Sequence, residues 1–228
     1  MRLDIDVRNS QDNKPIHGAK VTVYYIHKSP AKGRFGALTL KRFPAKNVPV
    51  KADGKLSMEV PALATYNIQI WAPGFISGHP AHYTMECDEH CGHVKLVSMS
   101  PVLPPGQTRI MMTWEKERPK DLDISVVSVR KSDKKTCRTW YGNKDRCPKI
   151  SLDLDNTEGG THGAETLTLL DNNVNKDYVY VIAVEDFSFE NNGQSFLDSG
   201  CEIRITNGPK EVEKKMVAKS VTHGRSKE

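Results

Sequence analysis

The feature that most constrains this chain is the period of its hydrophobic pattern, which from Leu3 to Gln69 is two rather than 3.6. Ala19–Tyr25, Lys55–Val60 and Tyr66–Ile70 each alternate apolar with polar residues, the pattern of strands in a half-exposed antiparallel sheet. His17-Gly18, Asp53-Gly54 and Pro73-Gly74 fall between them, with glycines placed to supply the positive φ that tight turns require. Beyond residue 107 the pattern changes to near-continuous runs, Thr108–Trp114, Asp123–Val129, Tyr178–Val184 and Cys201–Ile205, which predict strands buried on both faces. Both halves are therefore predicted to be β-structured. Pro101-Val102-Leu103-Pro104-Pro105-Gly106 between them reads as a linker. The last twenty residues are polar, with Val212, Met216 and Val217 at helical spacing, and predict a frayed helix or disordered tail.

The 228 residues suit one large domain or two small ones. No apolar run approaches the roughly 20 residues needed to cross a bilayer, so a membrane-spanning chain is excluded as an expectation. Met1–Asp6 alternates acid with aliphatic and lacks the apolar core of a secretory signal, leaving a cytoplasmic chain or a processed product. The net charge of +5 is unevenly spread. Residues 1–100 carry 13 basic and 8 acidic side chains, whereas 101–208 carry 14 and 17. Such a split favours polyanion binding at one end or head-to-tail contacts between copies.

Three segments of the first half, Pro15–Val23, Ala52–Leu56 and Tyr66–Phe75, carry a resemblance to the carboxypeptidase regulatory-like, transthyretin-like sandwich, over roughly residues 1–77. The chain departs from that family by an insertion spanning roughly 27–51. In the second half, Arg109–Trp114, Lys120–Ile124, Leu152–Thr157, Gly163–Leu167 and Ser199–Cys201 resemble, in the same order, an uncharacterised secreted β-sandwich family. This second resemblance is the stronger and implies no activity. Together they imply an all-β chain of two β-sandwich domains in series, 1–100 and 101–208, followed by a tail at 209–228.

Asp121-Leu122-Asp123 and Asp153-Leu154-Asp155 are paired carboxylates at strand spacing, where alternate residues face one side. Four clustered anions repel, and a cation relieves them. Oxygen-only donors favour Ca²⁺ in a structural role, with Glu165 completing the shell. The alternative is that these aspartates cap turns, face water, or pair with Arg109 or Lys120.

Five cysteines, Cys87, Cys91, Cys137, Cys147 and Cys201, allow two bridges and one odd thiol in an oxidising compartment, with connectivity open. Cys137 and Cys147 bracket a polar, turn-rich loop that a bridge would constrain. Residues 79–93 hold four histidines and two cysteines. Zinc is the alternative to a disulfide or linker loop there, but the Cys-x-x-x-Cys-x-His spacing fits neither a zinc finger nor a metalloprotease.

No acid lies between Asp12 and Asp53, while Lys28, Lys32, Arg34, Lys41, Arg42 and Lys46 accumulate among Gly and Pro residues. That predicts a flexible cationic loop for sulfated glycans, acidic proteins or a mineral surface, or else a merely solvated face. Recognised nucleic-acid motifs are absent, as are a nucleophile elbow, a phosphate loop and a dinucleotide fingerprint. The sequence thus points to a non-enzymatic extracellular protein of structural or adhesive type, stiffened by disulfides and Ca²⁺. Its sharper form is a self-assembling, matrix or biomineral-associated building block, a homo-oligomer by charge. The alternative is a polyanion-binding module, and a zinc-dependent enzyme ranks third.

Overall fold

The computed structural model describes residues 2–27, 39–42, 48–60, 64–76, 85–86, 93–114, 119–170, 176–188, 199–208 and 210–216. Sixteen strands run through them, and among the described residues there is no helix. The chain is all-β.

In the first half, β1 (Arg2–Asn9), β2 (Lys20–His27), β3 (Thr39–Arg42), β4 (Val48–Pro49), β5 (Lys55–Glu59), β6 (Ala64–Trp71), β7 (Met85–Glu86) and β8 (His93–Met99) form two sheets, β5-β1-β8 and β3-β2-β6-β7, with β4 also on β2. Alternation sets the core. Leu3, Ile5 and Val7 of β1, Val21 and Val23 of β2, and Ile68 and Ile70 of β6 bury their side chains in one cluster with Val97 and Met99 of β8. The Asp53-Gly54 turn works as expected: Gly54 takes φ +79°, and a Cβ there would lie 2.7 Å from the Val7 carbonyl oxygen. One pairing differs from the antiparallel expectation, since β1 and β8 run parallel. The long connection after β6 lets β8 enter beside β1 in the same direction.

Part of the basic insertion is also ordered into sheet: β3 and β4 both pair antiparallel with β2. The prediction of a wholly irregular loop is corrected for these residues, because β2 offers an edge that the returning chain can hydrogen-bond.

The second half contains β9 (Thr108–Thr113), β10 (Leu122–Arg130), β11 (Thr136–Thr139), β12 (Ile150–Leu154), β13 (Glu165–Leu169), β14 (Tyr178–Asp186), β15 (Glu202–Asn207) and β16 (Lys210–Met216). They form sheets β12-β13-β9-β15-β16 and β11-β10-β14 around a core that includes Ile110, Met112, Leu122, Ile124, Val126 and Leu167. β9 and β13 are buried nearly throughout, as their apolar runs predict. β14 is not: Val179 and Val181 are about half exposed, because only Tyr180, Ile182 and Val184 face the core. The tail prediction is corrected as well. Residues 210–216 form β16, paired antiparallel with β15 across a bulge, so the apparent helical spacing of Val212 and Met216 lies on a strand.

The two halves touch. The Thr166 hydroxyl donates to the Ser10 carbonyl at 2.7 Å, and the Asn13 amide donates to the His162 carbonyl at 2.8 Å. Arg109, only 2% exposed, donates to the Ser100 hydroxyl at 3.2 Å. The proline segment is packed rather than free: Pro101 bridges Phe75, Val102 donates to the Gly74 carbonyl at 2.9 Å, and Leu103 is buried.

Candidate functional site

At one end of the second sandwich the start of β10, the end of β12 and the end of β14 come together. Asp121 immediately precedes β10 and Asp123 lies within it, so strand alternation sends both carboxylates to one side. Asp155 follows the last residue of β12. Carboxylate oxygens of Asp121, Asp123 and Asp155 all lie within 4.8 Å of one another. When all three are ionised, each pair repels by at least about 3 kcal/mol at an effective dielectric near 20.

Local structure holds this unfavourable arrangement in place. The Asp121 carbonyl accepts from the Phe187 amide at 2.9 Å, which ties the start of β10 to the end of β14. Behind Asp155, Asn156 closes the following loop: its side-chain amide donates to Gly159 and Gly163 carbonyls at 2.9 and 3.2 Å, and its oxygen accepts from the Glu158 amide. On the other side Lys144 sits 2.7 Å from the Asp155 carboxylate, and its own carbonyl accepts from Leu152 of β12. Lys144 belongs to a loop closed by a disulfide between Cys137 and Cys147, whose Cα atoms are 5.7 Å apart.

The cluster is underserved with partners. One oxygen each of Asp121, Asp123 and Asp155 is shielded from solvent and receives no hydrogen bond. Asp123 is 4% exposed, and burial, followed by the charges of Asp121, Asp155 and Glu185, pushes its carboxyl up to about 7. Asp121 is raised for the same reasons, burial first and then Asp155 and Asp186. Glu165 on β13 is fully buried; one oxygen accepts from the Ile124 amide at 2.9 Å and the other has no partner. Burial above all, with Asp123, Asp155 and Asp121 adding, raises it to about 9. Glu165 therefore feels the triad but stands outside its 4.8 Å circle, as a protonated neighbour at neutral pH.

Asp153 does not join the site, contrary to the expectation of four matched aspartates. Ile150 and Leu152 face the core, so alternation sends Asp153 to the opposite face of its sheet, and the bulge between Leu152 and Leu154 lets Asp155 turn the other way. There it accepts from the Thr168 hydroxyl and lies 3.7 Å from Arg109, the ion pair that the sequence offered as the alternative. Burial raises Asp153 and lowers Arg109, each partly offset by the other's charge. Lys144 and Asn156 were missed by sequence reasoning. Asn156 lies in the Leu152–Thr157 segment of the second resemblance but was given no role, and nothing in the sequence marks Lys144.

Among the described cysteines Cys201 is a free, buried thiol, pushed up to about 12 chiefly by burial. Cys87, Cys91 and most of the histidine-rich segment lie outside the described residues, as do Lys28, Lys32, Arg34 and Lys46 of the basic insertion. Lys41 and Arg42 lie on β3. Among the described residues no helix is long and apolar enough to cross a membrane.

No protein-family model and no curated protein matches this chain. Among solved structures, one titled as the unknown function protein SAV2460 is similar at 18% identity and a TM-score of 0.40. The match covers 49% of this chain and 71% of that one, and likeness at that level carries no argument.

Proposed function

We propose that this chain is a non-enzymatic extracellular protein of structural or adhesive type, with a Ca²⁺ ion held by Asp121, Asp123 and Asp155. The observation that carries the reading is the convergence of three carboxylates with solvent-shielded oxygens that nothing bonds. A buried anion without a partner is costly, and an ion that accepts six to eight oxygens removes the cost at all three at once. Hard oxygen donors, with no thiolate or imidazole among them, favour Ca²⁺ over zinc. The ion would tie the ends of β10 and β12 together and thereby stiffen the sandwich. The Cys137–Cys147 bridge supports an oxidising compartment, where such bonds persist.

Titration calorimetry with CaCl₂ and thermal melts in Ca²⁺ or EGTA test this. Expected are a single binding event and a rise in Tm with Ca²⁺. No heat and no shift would dismiss the site.

A further inference from the structure

Tyr141 and Phe187 meet edge to face at 4.9 Å, and Trp140 packs edge to face on Tyr141 at 4.4 Å. Phe187 is 41% exposed, and its own backbone amide is bonded to Asp121. Trp140 and Tyr141 lie in the same disulfide-closed loop as Lys144. An aromatic shelf is thus tied to the acidic cluster through the Phe187 amide on Asp121 at one side and through the disulfide-closed loop that carries Lys144 at the other.

Three aspartates rarely satisfy Ca²⁺ alone. They offer three to six oxygens for an ion that takes six to eight, and one Asp155 oxygen is already engaged by Lys144. With one ligand atom from each aspartate, about three or more positions remain for atoms from outside the triad. Charge decides which atoms those are. Asp121, Asp123, Asp155, Glu165, Glu185 and Asp186 surround the site, against Arg138 and Lys144. A divalent ion raises the positive count from two to four, still below the six carboxyl groups. A carboxylate, phosphate or sulfate gains nothing there, whereas a neutral donor of two adjacent oxygens does.

We infer that the ion-loaded rim binds a neutral glycan, with a pair of vicinal hydroxyls completing the Ca²⁺ shell and the sugar's C–H face lying on Phe187 and Tyr141. The inference rests on the Ca²⁺ reading above. Sugar rings have one apolar face of C–H groups and an edge of hydroxyls, so an aromatic shelf beside an incompletely coordinated cation addresses both at once. The exposed Phe187 ring and the disulfide-closed loop become the walls of one site.

The test measures two things on the full chain. Calorimetry with CaCl₂ reads ion binding, and surface retention on immobilised mannan, galactan and heparin reads the ligand class. Expected is retention on mannan or galactan that is abolished by EGTA and is little affected by moderate salt, with none attributable to the aspartate site on heparin. Phe187→Ala is expected to weaken retention about tenfold while Ca²⁺ affinity stays within about twofold, and Phe187→Tyr to restore it. Ca²⁺ heat without retention on either neutral polysaccharide overturns the glycan site and leaves the ion site standing. Retention that survives EGTA, or is unchanged in Phe187→Ala, also overturns it. Absence of Ca²⁺ heat removes both readings.

Discussion

Asparagine at position 123 keeps the shape of the aspartate and removes its charge, so Asp123→Asn separates the cost of the cluster from its use. Asp123 is almost fully buried, and its carboxyl sits at about 7 against an ordinary 3.8. Because the folded state holds this proton more tightly than the unfolded chain, ionisation destabilises the fold. The penalty is absent below about pH 4, grows as pH rises, and is complete above about pH 7. A shift of about three units corresponds to about 4 kcal/mol at pH 8 in protein free of Ca²⁺. The substituted amide brings N–H donors into a site whose neighbours are acceptors, which limits the new burial cost.

In EGTA at pH 8 the variant is therefore expected to be more stable than the wild type by up to about 4 kcal/mol, a rise of several degrees in Tm. The advantage should vanish toward pH 4. In Ca²⁺ the order narrows or reverses. At a hundredfold excess over Kd the wild type gains about 2.7 kcal/mol from binding, and the variant, lacking a ligand charge, gains far less. Calorimetric melts of both proteins at pH 4.5 and 8, with Ca²⁺ and with EGTA, supply the needed comparisons. A variant less stable than wild type in EGTA at pH 8, or one with an undiminished Ca²⁺ shift, would refute the reasoning.

Arg109→Ala strands Asp153 in a buried position without its cation and is expected to cost about 3–5 kcal/mol in denaturant melts; adding Asp153→Asn should recover part of it, and no recovery would show that Arg109 acts through packing alone. Replacing Cys137 and Cys147 by serine frees a ten-residue span and is expected to lower stability by about 3 kcal/mol, a difference that dithiothreitol should erase. Gly160→Ala would place a Cβ 2.1 Å from the Trp114 carbonyl oxygen, so strong destabilisation is expected, whereas Gly74→Ala meets no atom within 4 Å and should cost only about 1 kcal/mol for its positive φ. Equal Tm values for the two alanine variants would contradict this contrast.

The fold class was legible because strand chemistry is local. Leu3, Ile5 and Val7 alternate in the sequence and are the residues buried in the core, and Gly54 sits where a turn needs positive φ. What sequence cannot carry is pairing and register. The parallel alignment of β1 with β8 pairs Leu3 with His93, far apart in sequence, and β16 gains its strand form from an edge of β15 rather than from its own pattern. The candidate site divides along the same line. Asp121 and Asp123 share a side because β10 is regular there, so spacing alone places them. Asp153 and Asp155 have identical spacing and opposite fates, because one extra residue in β12 breaks the alternation on which the expectation was built. Lys144 comes from a loop whose position is fixed by a disulfide and by Leu152, neither of which is a property of its neighbours in sequence.

That single extra residue also sets the charge of the site. With Asp153 paired to Arg109, the triad and Lys144 sum to −2 when the three aspartates are ionised, the charge that one divalent cation neutralises. Had β12 stayed regular, Asp155 would have shared the face of Asp153, opposite Ile150 and Leu152, and only two carboxylates would have met at the site. A trivalent lanthanide should therefore leave one positive charge in excess unless Lys144 moves away, while Na⁺ leaves one carboxylate uncompensated. Magnesium meets a different obstacle: it demands near-octahedral geometry at short distances and keeps its waters, whereas three aspartates fixed by separate strands suit the looser shell of Ca²⁺. Competition calorimetry in which Mg²⁺ displaced Ca²⁺ at equal concentration would contradict that argument even if both ions bound.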